Sequence, residues 1–154
     1  MSDNRRVYRC IMSSLRQLYP QRLTGNQARH LNTMAGMITG IVQSKRCHFE
    51  AMARKAPDHS KPDSRAKRFT RFVQNDKVDV ATFFLPFILI LLEGLAASGP
   101  LVLAMDGSET GRNCLTLLVS VIYRKRAIPI AWLVVRGKKG HLSHGLCRRS
   151  VLLV

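Results

Sequence analysis

The chain has 154 residues, the length of one domain or at most two, and enough to bury a real core. Hydrophobic residues make up 46% of it, which excludes wholesale disorder and a fibrous repeat. Lys and Arg number 25 against 9 Asp and Glu, a formal charge of +16, and so one-sided a balance calls for a polyanionic partner, nucleic acid first and an acidic membrane second.

The charge is unevenly spread. Residues 1–77 hold 16 basic and 5 acidic side chains, a net +11, whereas residues 78–154 hold 9 and 4, a net +5. Acidic residues stop altogether after Glu109. Cys10, Cys47, Cys114 and Cys147 lie too far apart for a zinc knuckle, a redox pair or small disulfide loops, so reduced thiols are expected. Met1 to Arg6 lacks the apolar stretch of a signal peptide, and a cytoplasmic location is expected.

Residues 1–28 are basic and weakly periodic, which predicts a short helix or a loose arm. From His30 to Gln43 the residues Leu31, Met34, Ile38, Ile41 and Val42 recur every three or four positions and predict one apolar face of a helix. Gly36 and Gly40 lower its intrinsic propensity. A second helix is predicted over Cys47 to Lys55, burying Phe49, Met52 and Ala53 and ending at Pro57.

Ser60-Lys61-Pro62-Asp63 has the pattern of a helix start, with a hydroxyl as N-cap and a carboxylate three residues on. The helix running from there to Asn75 places Ala66, Phe69 and Val73, with Phe72 beside them, on an apolar stripe. Lys67 and Arg71 lie one turn apart on its outward side, flanked by Arg65 and Arg68. A helix, a turn and a basic helix form the arrangement of a helix-turn-helix reader, in which one face packs and the other meets phosphates and base edges. A solvated cationic face is the plainer alternative; the charge of the whole chain tips the balance toward DNA.

Val80 to Leu92 is the most apolar run, 13 residues before Glu93 and Gly94 interrupt it. A membrane span needs about 18 apolar residues or more, so a buried core helix is predicted. Past the turn signal Ser98-Gly99-Pro100 the period changes. Leu101 to Met105 predicts a short buried strand that ends in a turn at Asp106-Gly107-Ser108. Leu115 to Tyr123 and Ile128 to Val135 predict two more strands, joined by a polar turn at Arg124-Lys125-Arg126. That connection is too short for a crossover helix, so the strands form an antiparallel meander, with Pro129 near a strand start or on an edge. Arg136 to His141 follows as a cationic, glycine-punctuated loop. The expected fold class is α+β.

Asp106, directly after an apolar strand, is either a plain Asp-Gly turn residue or a rigidly held ligand for a hard cation such as Mg²⁺. The blocks Leu101-Val102-Leu103-Ala104-Met105-Asp106-Gly107-Ser108, Ala127-Ile128-Pro129-Ile130-Ala131-Trp132 and Gly137-Lys138-Lys139-Gly140-His141-Leu142-Ser143 resemble the start of the catalytic domain of bacterial insertion-sequence DDE transposases. These are cut-and-paste enzymes with a ribonuclease-H-like core. Ser64 to Phe69 and the helices before it resemble the DNA-binding region that precedes that core, and the likeness runs over roughly residues 30–143.

The resemblance implies phosphoryl transfer on DNA, in which three carboxylates hold two metal ions that activate water or a 3′-hydroxyl. Asp106 then becomes the first carboxylate and a Mg²⁺ ligand. Lys138 and Lys139 serve either phosphate contact or simple solvation, His141 is a loop residue, and Trp132 belongs to the core.

The family also needs a later aspartate and a glutamate, and Glu109, three positions after Asp106, cannot stand in for both. The tail after Ser143 departs from the family as well. A truncated or frameshifted copy, inactive by itself, is therefore expected. Its segments would be a basic helical DNA-binding region (1–77), an apolar helix and connector (78–100) and the first strands of a partial catalytic domain (101–154). The expected partners are double-stranded DNA at terminal inverted repeats and a further copy or full-length transposase, with no membrane. The expected setting is the bacterial nucleoid. The alternative is a non-catalytic DNA-binding regulator or inhibitor of the full-length enzyme.

Overall fold

The computed structural model describes residues 3–19, 21–111 and 113–136. The class is α+β, six helices followed by a three-stranded antiparallel sheet among these residues. The chain forms two compact units, Met1–Phe87 and Ile88–Val154.

In the first unit α1 (Asp3–Gln17) is a regular helix. Its apolar residues recur at helical spacing: Met12 and Leu15 are buried, with Tyr8, Ile11 and Leu18 packed beside them. Helix α2 (Gly25–Ser44) lies against them through Leu31 and Ala35. The buried face of α2 differs from the predicted stripe. Leu31 is buried and Met34 and Ile38 are partly so, but Ile41 and Val42 are exposed, and Thr39, Gly36 and Gly40 are buried instead.

Small residues are buried there because two further helices approach closely. A Cβ on Gly40 would lie 2.6 Å from the Met52 carbonyl oxygen, and one on Gly36 would lie 3.9 Å from the Phe69 ring. The lower helix propensity of glycine is the counterpart of that proximity. The hydroxyl of Thr39, fully buried, donates to the Ala35 carbonyl at 2.7 Å.

Helix α3 (Phe49–Lys55) follows, and Ala56, in the extended conformation required before Pro57, ends it. Met52, Ala53, Ala56 and Phe69 form the second core cluster, which α2 closes through Met37. Helix α4 (Pro62–Val73) starts at a proline, which tolerates the first turn because its missing N–H has no partner there. Ser60 does not cap it. The N-cap position is Lys61 without a side-chain bond, and the Ser60 N–H and hydroxyl both go to Asp58. On the predicted stripe Phe69 is fully buried, while Val73 is 55% exposed.

The apolar run of 80–92 is two helices, not one. Asp79 caps α5 (Val80–Phe83), accepting from the Thr82 N–H at 2.7 Å. A continuous helix would offer the Thr82 carbonyl to residue 86, but that residue is proline and has no donor. The Tyr19 hydroxyl donates to this carbonyl instead, at 2.9 Å. Phe83 enters the first core cluster, with Val78 and Phe87 against it, so the expected connector contributes its beginning to the helical unit. His30, Phe72 and Phe83 meet edge to face, with centroids 5.8–6.3 Å apart. Helix α6 (Leu85–Ala96) continues through Glu93 and Gly94. It is no buried core helix, because Leu89 and Ile90 are exposed. Among the described residues no helix is long and apolar enough to cross a membrane.

In the second unit β1 (Leu103–Gly111), β2 (Cys114–Tyr123) and β3 (Arg126–Arg136) form the predicted meander in the order β1-β2-β3. Pro129 sits on the edge strand β3 beside a bulge, where Ser120 pairs with Pro129 and Val119 with Ala131. The edge position and the bulge are what a residue without a donor requires. The first strand departs from expectation: Leu103 and Met105 are exposed, at 58% and 64%, and the strand runs through residues 106–108 instead of turning there.

Gly40 of α2 and Gly94 of α6 predict opposite responses to alanine. Gly40→Ala forces a Cβ into the Met52 backbone and should destabilise the helical unit by about 1–3 kcal/mol. Gly94→Ala meets nothing within 4 Å and should stabilise by about 0.5–1 kcal/mol. Urea midpoints of the two variants against the parent chain measure both.

Candidate nucleic-acid interface

The four cations predicted on α4 do not act alike. Lys67 and Arg71 are exposed, one turn apart, and enter no ion pair among the described residues. Arg65 is a correction: its side chain is 10% exposed and turns inward. Its Nη1 donates to the Ala56 carbonyl, and its Nε lies 3.7 Å from Asp58 Oδ1. Spacing alone puts it on the outward flank, but position 65 shares a face with Phe69, four residues on, and that face meets the end of α3 and the loop after it. Arg68 lies at the edge of that face, 44% exposed, and its Nη2 donates to Asp58 Oδ2.

Asp58 is therefore the hub that holds the α3–α4 loop to α4. Burial opposes its ionisation, but hydrogen bonds from Ser60 and Arg68 outweigh burial and hold the carboxyl below its ordinary value. Two arginines and a loop thus depend on one carboxylate.

The larger basic surface does not stand out in the sequence. Three adjoining concavities of the helical unit share Tyr8, Arg16 and Asn32 pairwise in their walls. Along them stand Arg9 and Arg16 from α1, Arg22 from the α1–α2 connection, Arg29 from α2 and Arg68 from α4. Among the described residues Asp58 is the only carboxylate in these walls, and it is already held by Arg68. Arg9, Arg16, Arg22 and Arg29 are exposed and enter no ion pair among the described residues.

The Tyr8 phenol reports how these groups converge. Burial raises its pKa, the positive charges of Arg16 and Arg68 work against that rise, and Asp58 adds to it. Ser13, Gln17, Gln21 and Asn32 line the same groove with uncharged hydrogen-bonding groups. Guanidinium groups spaced along a groove, interleaved with amides and hydroxyls, suit successive phosphates of a nucleic-acid strand. A signal is present on α1: Arg5, Arg9 and Arg16 recur at intervals of four and seven, which aligns them in one stripe along the helix.

Asp106 occupies a different setting from the one predicted. It lies within β1, exposed, opposite Leu118, and accepts from the Ser108 hydroxyl at 2.9 Å. Glu109, an odd number of positions away, belongs to the other face of the strand. Among the described residues no group of three or more His, Cys, Asp or Glu comes together. A carboxylate beside a serine does not fit the multi-carboxylate set that two catalytic metal ions need. Trp132, predicted in the core, is 46% exposed on β3. Lys138, Lys139 and His141 lie outside the described residues. No family model, curated protein or solved structure matches the chain.

The lowered Asp58 pKa fixes the direction of a pH effect. A carboxyl depressed in the folded state adds stability that is present above its ordinary value of 3.8 and is lost as pH falls through the folded value. Acid titration of stability should therefore show a loss below about pH 4 that Asp58→Asn removes. At neutral pH the same variant should be less stable by about 1–2 kcal/mol, since Arg65 loses its counter-charge. Thermal melts from pH 7 to pH 3 test both.

Proposed function

We propose that this chain binds duplex DNA through its helical unit and derives from an insertion-sequence transposase. The observation that carries the reading is the groove of Arg9, Arg16, Arg22, Arg29 and Arg68, in which one acid stands against five arginines. Lys67 and Arg71 extend the positive surface along the exposed side of α4. Binding would neutralise backbone phosphates and release the counterions condensed on them, so affinity falls as salt rises. The groove supplies position along the backbone, and the outward residues of α4 supply contact with base edges. Terminal inverted repeats are the target that the transposase reading assigns, and nucleoid association follows from DNA binding.

The antiparallel meander is compatible with the opening strands of a ribonuclease-H-like domain, which is part of this proposal. A non-catalytic role, occupying element ends or pairing with full-length transposase, is favoured over strand transfer by one observation. Asp106 belongs to no cluster of three metal-ligating side chains among the described residues.

Fluorescence anisotropy with an element-end duplex and a random duplex, across a salt series, tests the reading. Arg9→Ala, Arg16→Ala and Arg29→Ala together should lower the slope of log K against log salt by about 2.7, at about 0.9 per phosphate contact. Lys67→Ala with Arg71→Ala should reduce the preference for the element end. An unchanged slope in the triple variant would remove the groove from the interface. Mg²⁺-dependent strand cleavage abolished by Asp106→Ala would replace the regulatory reading with an enzymatic one.

A further inference from the structure

Strands β2 and β3 are joined by two residues, because Tyr123 pairs with Arg126 and only Arg124 and Lys125 lie between them. Both have positive φ, 46° and 63°. Two-residue hairpin turns with this backbone favour Asn-Gly, since a Cβ in the left-handed region crowds the neighbouring carbonyl. Elsewhere the chain uses the ordinary choice: Asn113, at φ 56°, stands in the β1–β2 turn. Lys45, also at positive φ, has a structural reason, because its N–H closes the C-terminus of α2 on the Ile41 carbonyl and its charge complements the helix dipole. No helix end is present at the β2–β3 turn. The hairpin accounts for the backbone but not for the choice of residues: two cations occupy positions that Asn-Gly would take with less strain.

Strain of this kind persists where the side chains serve a function. Arg124, Lys125 and Arg126 are consecutive and exposed, and none enters an ion pair among the described residues. The Arg124 guanidinium lies over the Tyr123 ring, 5.2 Å from its centroid, which holds it at the tip of the hairpin. Because β1 flanks β2 as far as Val121, only the turn projects beyond the three-stranded sheet, and its cations would meet backbone phosphates at the surface of a duplex.

We propose that the β2–β3 turn is a nucleic-acid contact separate from the helical unit, in which Arg124, Lys125 and Arg126 bind backbone phosphates of duplex DNA. The inference rests on the reading of the chain as a DNA-binding protein and adds to it a surface in the second unit.

The test replaces the turn in the full chain by Arg124→Asn with Lys125→Gly, the pair that the backbone prefers. The two readouts should move in opposite directions. Tm rises by about 2–4 °C as strain is relieved. Affinity for a duplex weakens by about tenfold, and the salt slope falls by about 1.8 for two lost phosphate contacts. Arg124→Lys with Lys125→Arg keeps the charge and should bind as the parent does. A raised Tm with affinity and slope unchanged would overturn the turn contact while leaving the groove reading intact. A lowered Tm would overturn the strain argument. Loss of binding to phosphatidylserine–phosphatidylcholine vesicles with duplex binding unchanged would assign the turn to an anionic membrane surface and so reject the proposal. A parent chain with no salt-dependent duplex binding would overturn both readings together.

Discussion

The backbone contact between α2 and α3 decides most of what the helical unit can do. With no side chain at Gly40, the Met52 carbonyl and Cα come within van der Waals reach of α2, and Gly36 leaves room for the Phe69 ring. The same packing seats α3, which ends at Ala56 before Pro57, and the Ala56 carbonyl receives the Arg65 guanidinium. The same loop places Asp58 between Arg65 and Arg68. Arg68 then enters the groove that α1, α2 and their connection line with four further arginines. Close packing at two glycines of α2 is thus linked to the electrostatic surface through one carboxylate.

The positive charge divides into kinds with different physical roles. Arg65 is desolvated and structural: its Nη1 donates to the Ala56 carbonyl, and Asp58 supplies a counter-charge 3.7 Å from Nε. That Nε is buried without a hydrogen-bond partner among the described residues, so the cost of burial is offset only in part. Arg68 is shared between Asp58 and the groove. Arg9, Arg16, Arg22 and Arg29 keep their hydration and have no acid paired to them among the described residues. Their mutual repulsion is an unfavourable contribution that a polyphosphate would reverse. Net charge alone does not separate these kinds.

The second unit is built differently. The central strand β2 buries Leu115, Leu117 and Val121, while β1 exposes Leu103 and Met105. An edge strand whose first residues expose apolar side chains is a position where sheets recruit further structure or aggregate. Asp106 lies on this strand and accepts a bond from Ser108, two residues along the same strand, so the carboxylate is held locally.

Local patterns in the chain were sufficient for the helices α2, α3 and α4, the meander, the confinement of Pro129 to a strand start or an edge and the concentration of +11 before residue 78. Those features depend on period, turn chemistry and composition, which act over a few residues. The inward turn of Arg65, the groove on α1 and α2 and the exposure of β1 were not legible there, whereas the break at Phe84 has a local signal in Pro86. Two of these depend directly on what another segment brings: the Ala56 carbonyl and Asp58 for Arg65, and Tyr8, which both Arg16 and Arg68 reach, for the groove. By itself the sequence determined that this protein carries a large positive charge on a helical front. Only the tertiary structure decided which of those cations face solvent, because burial and pairing are set by neighbours distant in the chain.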